Sequence, residues 1–224
     1  MFIKILLTTL LVVSSYTVVV SQSEIKTGNQ FFAREQYEQA LNEYRKVPSS
    51  AGVSYSQALY NIGVCYFELW QTESAITYYK LAMQSRPEGY PKAAYALGIA
   101  LESQDRLTEA RLAYRQAPSS GATLFRLGVI SAKEKDATAA IDFFQQALKV
   151  SGPHTSSAHN NLGVMLAQGG LLVDAERHFA EAVKQSDGAF AEAVHNLKLC
   201  RSLKETAVTQ REMEIIWKLK PTTR

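Results

Sequence analysis

A catalytic centre needs a nucleophile beside a base, a carboxylate pair, ligands at metal-binding spacing or a glycine-rich phosphate loop. The four histidines, His154, His159, His178 and His195, form no i, i+4 pair and read as surface or groove residues rather than metal ligands. Gly169-Gly170 stands far from any phosphate-loop pattern, and Cys65 and Cys200 are the only cysteines, too few for a disulfide framework. These residues predict no catalytic set, no metal and no cofactor. The chain therefore reads as something other than an enzyme, and any function must come from the elements that present its polar and aromatic side chains.

Of 224 residues, 46% are hydrophobic and 20% charged, with a net charge of +3. That profile excludes a disordered tail or a fibre. The near balance of charge, without a long basic block, gives no electrostatic support for nucleic-acid binding. Met1 to Val20 carries Lys4 as its only charge, so Ile5 to Val20 is an uncharged stretch that ends at small residues. A basic start, an apolar stretch and a small-residue end predict a signal peptide over 1–21 and an exported domain, periplasmic or secreted. If the segment is retained, residues 5–20 act as a membrane anchor, although about 20 apolar residues are needed for a span.

Past residue 22 the chain repeats itself. Gly28, Gly63, Gly98, Gly128 and Gly163 follow one another at intervals of 35, 35, 30 and 35 residues. Twelve residues after each comes an alanine: Ala40, Ala75, Ala110, Ala140 and Ala175. Four further on stands an aromatic, Tyr44, Tyr79, Tyr114, Phe144 or Phe179, and three beyond that a small residue, Val47, Ala82, Ala117, Ala147 or Ala182. A period in the thirties signifies stacked supersecondary units. Gly and Ala let two helices approach closely, and the aromatic is expected to fill the gap toward the next unit. Thr72, Asp105 and Asp136 are candidate N-caps, Pro91 suits a first helical turn, and Gly169-Gly170 suits a left-handed helix end. The short third interval, around Pro118 to Ala122, predicts a local break and a shortened first helix in the fourth unit. Cys65 and Cys200 fall two residues past equivalent slots and are expected to be small buried hydrophobes.

The pattern resembles the tetratricopeptide repeat, a helix–turn–helix unit with W-x2-L-G-x2-Y, then A-x3-F, then a late Pro. Leu59, Ile62-Gly63, Tyr66, Ala75-x3-Tyr79, Ala82 and Pro87 follow it almost fully, with Leu in place of Trp. The resemblance implies an all-α fold: an α-solenoid of about five tetratricopeptide-like units plus a C-terminal capping helix. The units fall near 22–50, 56–89, 91–118, 121–152 and 156–188, with a partial sixth from 190 and a capping helix and tail over 206–224. Thr206 to Leu219, with Val208, Met213, Ile216 and Trp217, would cover the last unit.

In this family the first helices of successive units line a groove that takes a peptide or partner segment. The slots three before each Gly are Ile25, Tyr60, Tyr95, Phe125 and Asn160, with His195 in the sixth unit. Those two before are Lys26, Asn61, Ala96, Arg126, Asn161 and Asn196, and Asn29 stands one after. Asparagine can donate to and accept from an extended backbone, while Tyr and Phe supply apolar pockets. The resemblance thus implies a binding set of Asn29, Tyr60, Asn61, Lys92, Tyr95, Phe125, Arg126, Asn160, Asn161, His195 and Asn196. Some such repeats clamp C-terminal carboxylates. Asn29, Asn61 and Lys92 match that clamp, but Ile25 and Ala96 replace its Lys and Arg and remove most of the charge-assisted attraction.

The expected function is an exported, non-enzymatic scaffold that binds another protein. No nucleic acid is expected, and membrane contact only through an uncleaved leader. The alternative is an envelope assembly protein that self-associates or tethers a complex at the membrane, which the apolar Ile215-Ile216-Trp217 would serve.

Overall fold

A computed structural model describes residues 21–150, 152–205 and 221–222. The expected leader and the expected capping helix therefore lie outside the described residues. Among the described residues the only regular elements are helices and a single 3-10 turn. The chain divides into two compact units, the first ending at Pro118 and the second beginning at Ser119. That division falls within the stretch where the repeat interval is short.

The first unit holds α1 (21–32), α2 (Tyr37–Tyr44), a 3-10 turn (Ser49–Ala51), α3 (Val53–Glu68), α4 (Thr72–Gln84), α5 (Pro91–Ser103) and α6 (Leu107–Arg115). The second holds α7 (Gly121–Lys133), α8 (Ala137–Lys149), α9 (Thr155–Gln168), α10 (Leu172–Gln185) and α11 (Ala191–Glu205). From α2 to α6 and from α7 to α11, each helix packs on its successor. The fold is an all-α solenoid of helix–turn–helix repeats.

The glycine slot has a direct cause. A Cβ built on Gly63, Gly128 or Gly163 would come within 2.7 Å of a ring carbon of Tyr79, Phe144 or Phe179, and one on Gly28 or Gly98 would strike Tyr44 or Tyr114. Each ring therefore lies flat on the glycine of its own unit. The rings also meet the next unit, as expected: Tyr44 shares a buried cluster with Ala58, Ile62 and Cys65, and Phe144 one with Met165. The alanine twelve residues on is fully buried in all five units, which lets the second helix settle against the first.

The missing residues of the third interval come from a different helix than the sequence suggested. Helix α7 has 13 residues, the same as α5, whereas α6 has 9 against 13 for α4 and α8. Because α6 stops at Arg115, Ala117 lies past its end and is only half-buried, unlike Ala82, Ala147 and Ala182. Of the candidate caps, Asp136 performs the role: the Ala139 N–H donates to its carboxylate at 3.0 Å. Thr72 is instead the first helical residue after Gln71, and Asp105 adopts a left-handed backbone at φ +57°. Ser120 caps α7 by accepting from the Thr123 N–H at 3.2 Å.

Asp105 belongs to a second periodic slot that is hidden in the sequence. Seven residues after each repeat glycine stand Glu35, Trp70, Asp105, Lys135 and Gly170, all left-handed, with φ between +57° and +81°. The following N–H reaches back to the first helix, for example Asp136 to the Ser131 carbonyl and Leu171 to the Leu166 carbonyl, both at 2.9 Å. This is the Schellman closure of a helix end, and only the fifth unit fills it with glycine. Left-handed backbone costs a residue with a Cβ about 1–2 kcal/mol, part of which glycine returns as unfolded-state entropy. Lys135→Gly is therefore expected to stabilise the chain by up to about 1 kcal/mol, read as a higher urea midpoint. A loss of stability instead would mean that the Lys135 side chain makes compensating contacts.

Candidate functional site

In the first unit, the predicted residues gather in two groups. Asn61 on α3 donates its amide to Asn29 Oδ1 on α1 at 3.2 Å, and the Tyr44 hydroxyl donates to the same oxygen at 2.7 Å. Each first helix thus contributes one amide to a shared polar point. Beside it, between α1 and α3, lies a cavity of about 650 Å³ lined by residues that include Ile25, Lys26, Asn29 and Gln57.

The second group is aromatic. The Tyr60 ring sits 5.8 Å from Tyr79 and 5.7 Å from Tyr90, with Lys92 Nζ 4.7 Å above its centre. Burial, then the neighbouring Tyr90, pushes the Tyr60 hydroxyl above its ordinary pKa, so it remains a neutral donor. Tyr95 packs on Tyr114 at 5.7 Å. Ile25 is buried, so at that clamp position the chain offers core packing where a cation would be needed.

In the second unit, Asn160 and Asn161 on α9 and Asn196 on α11 form one continuous amide network. Asn196 donates to Asn160 Oδ1 at 2.9 Å, and Asn160 donates to Asn161 Oδ1 at 3.2 Å. Residue Thr222 completes it. Its main-chain N–H donates to Asn161 Oδ1, while Asn161 Nδ2 donates to the Thr222 carbonyl at 2.6 Å. Asn160 Nδ2 donates to the Thr222 hydroxyl at 3.2 Å. A single carboxamide gripping both main-chain groups of one residue is the arrangement that recognises extended backbone without regard to sequence. All three asparagines have relative exposures of 2% or less, a burial that polar side chains tolerate only when hydrogen-bonded. Adjoining them is an apolar cavity of about 510 Å³ whose lining includes Val129, Ile141, Phe144, Met165, Pro221 and Thr222.

Phe125 drops out of the predicted contact set. It is fully buried, stacked on His154 at 5.0 Å and packed against Phe144 at 5.9 Å, so it is core. Arg126 is half-buried, and its charge adds to burial in lowering the His154 pKa. His195 is exposed on α11.

Two features escaped the sequence reading. The first is Thr222, 61 residues from Asn161 in the chain. The second is a histidine pair: His159 Nδ1 and His178 Nδ1 lie 2.9 Å apart, joining α9 to α10. Burial holds both below the ordinary histidine pKa, and His178 falls to about 4 because His159 adds its own effect. Cys65 and Cys200 are free and fully buried, and burial pushes the Cys65 thiol up to about 12. Among the described residues, no group of three or more metal-ligating side chains occurs, and no helix is long and apolar enough to cross a membrane.

This architecture defines a helical-repeat protein with polar residues gathered on its first helices. Residues 56–88 and 136–190 match tetratricopeptide repeat family models, so these two stretches are tetratricopeptide repeats. No curated protein matches it in sequence. Several solved structures share the fold. MamA from Desulfovibrio magneticus RS-1 is 18% identical, with a TM-score of 0.65 over 76% of this chain and 97% of that one. Pseudomonas aeruginosa pilF is 17% identical, with a TM-score of 0.64 over 91% and 99%. YrrB, described as a TPR protein with an unusual peptide-binding site, is 21% identical, with a TM-score of 0.57 over 72% and 82%.

Proposed function

We propose that this chain is an exported, non-enzymatic scaffold that binds an extended segment of another protein along the first helices of its repeats. The observation that carries the reading is the double hydrogen bond between Asn161 and the main chain of Thr222. It supports main-chain recognition at one of the first-helix residues expected to make contact. The Asn29–Asn61 point in the first unit offers amides of the same kind. YrrB, which shares the fold, is described as having a peptide-binding site, and this supports a protein partner. Export rests on the charge and apolar pattern of residues 1–21.

The test is affinity capture from the native cell envelope and medium, comparing the wild-type chain with an Asn61→Ala/Asn161→Ala variant. The variant should lose its partner while keeping its helical circular-dichroism spectrum. Unchanged capture by a folded variant would remove these asparagines from the binding function.

A further inference from the structure

We propose that the amide site of the second unit is masked by the chain's own C-terminal segment. On this view, Pro221-Thr222 is an internal stand-in for the partner, and the partner presents an extended segment of the same chemistry. That segment would carry a proline followed by a hydroxyl-bearing residue, with a neighbouring apolar side chain for the adjoining cavity. The inference rests on the groove-binding reading above and adds the occupant, its competitor and the ligand's chemistry.

Three observations carry it. The contacts to Thr222 use every polar group that it has: N–H and C=O to Asn161, hydroxyl to Asn160. A tail resting on a surface by chance would not satisfy all three on asparagines that are 0% and 2% exposed. The asparagines are also prearranged from within the fold, because Asn196 on α11 holds Asn160 and Asn160 holds Asn161. Their orientation is thus set independently of the tail, as a receptor's would be. Finally, Pro221 is itself fixed in φ and has no N–H to satisfy, so ordering it beside Thr222 costs less entropy than another residue would. Pro221 and Thr222 form one wall of the 510 Å³ cavity, whose other lining includes Val129, Ile141, Phe144 and Met165. An apolar side chain beside the recognised residue would enter it.

Masking follows from connectivity. Residues 206–220 tether the segment to α11. A covalent tether of this length holds its end at an effective concentration on the order of 1 mM. Even a segment with a Kd of about 0.1 mM would then occupy the site most of the time and weaken a competitor about tenfold.

The experiment uses the full chain and a fluorescein-labelled decapeptide with the sequence of residues 215–224, read by anisotropy. Thr222→Pro removes the N–H that Asn161 accepts and touches nothing in the repeats, so the array stays folded. This variant should bind the decapeptide about tenfold more tightly than wild type, and adding Asn161→Ala should abolish that gain. Equal binding by wild type and Thr222→Pro, still dependent on Asn161, would overturn masking and leave the groove-binding reading standing. Absence of decapeptide binding in every variant would overturn both the tail's role as stand-in and this site as a peptide receptor. If masking in wild type disappears on dilution while light scattering shows dimers parting, the occupant is a second copy's tail and the intramolecular assignment falls.

Discussion

Gly163→Val is expected to lower the unfolding free energy by about 3 kcal/mol or more, enough to remove a large part of a typical domain's stability. An added Cβ would lie 2.7 Å from Phe179 Cε1, 2.8 Å from Cδ1 and 3.1 Å from Cζ, far inside van der Waals contact. Phe179 is fully buried among residues of both α9 and α10, so the ring has no open space to move into. Valine is only slightly better than glycine as a helix former, so little propensity gain offsets the clash. The cost is read from chemical denaturation. Combining it with Phe179→Ala tests the mechanism, because shrinking the ring removes the clash. The double variant should therefore be less destabilised than the sum of the singles by about 1–3 kcal/mol. Gly152→Val is the control: the nearest atom to its Cβ is 3.9 Å away, and it should shift stability by less than about 0.5 kcal/mol. Strict additivity of Gly163→Val and Phe179→Ala would mean that the slot has some other cause.

The same contact explains which parts of the fold are legible in the sequence. A glycine under an aromatic ring tolerates no other residue, so the slot repeats visibly and fixes the period. The left-handed turn seven residues later tolerates Glu35, Trp70, Asp105 and Lys135 at a modest energetic cost, so it repeats in the backbone and not in the letters. Helix length is similarly silent: the short interval could come from either helix, and the structure assigns it to α6. At the site, the register puts Asn160, Asn161 and Asn196 on the first helices, and the structure links them across positions: Asn196, two before its slot, donates to Asn160, three before its own. It could not separate Phe125 from Tyr60 at the same position, since burial depends on what covers the ring. His154 covers Phe125, and this histidine belongs to the connection before α9 and not to the register. Thr222 lies beyond any repeat, so no periodicity points to it.

The second unit's polar interior has one further consequence, which is acid sensitivity. His159 stands four residues before its repeat glycine and His178 immediately before its aromatic. The corresponding pairs in the three preceding units are Leu59/Tyr78, Ala94/Ala113 and Leu124/Phe143. A position pair without carboxylate or imidazole in these three repeats has thus become titratable, as it is in the first repeat with Glu24/Glu43, a signal available once the register is known. At neutral pH one Nδ1–H donates to the facing Nδ1 across 2.9 Å, which requires the two rings to be opposite tautomers. Protonating the acceptor leaves two N–H groups opposed and one ring charged, and protonating the second ring sets like charges side by side.

Both folded-state pKa values lie below that of an unfolded histidine, about 6.5, and that of His178 falls to about 4. The unfolded chain therefore binds more protons between these limits, and linkage makes stability fall as pH drops from 6.5 toward 4 and level off below. Glu181 beside His159 and Asp174 beside His178 oppose this loss, while Arg177 reinforces it. The rings are only partly buried, so solvent screening reduces the full linkage value to about 1–2 kcal/mol. Urea unfolding at pH 7.5 and pH 4.5 measures the loss. His159→Leu/His178→Phe installs the pair that the fourth unit already uses and should remove that share of the pH dependence, leaving the contributions of His154 and the carboxylates. An unchanged pH dependence in a folded double variant would exclude the pair as the acid-labile element.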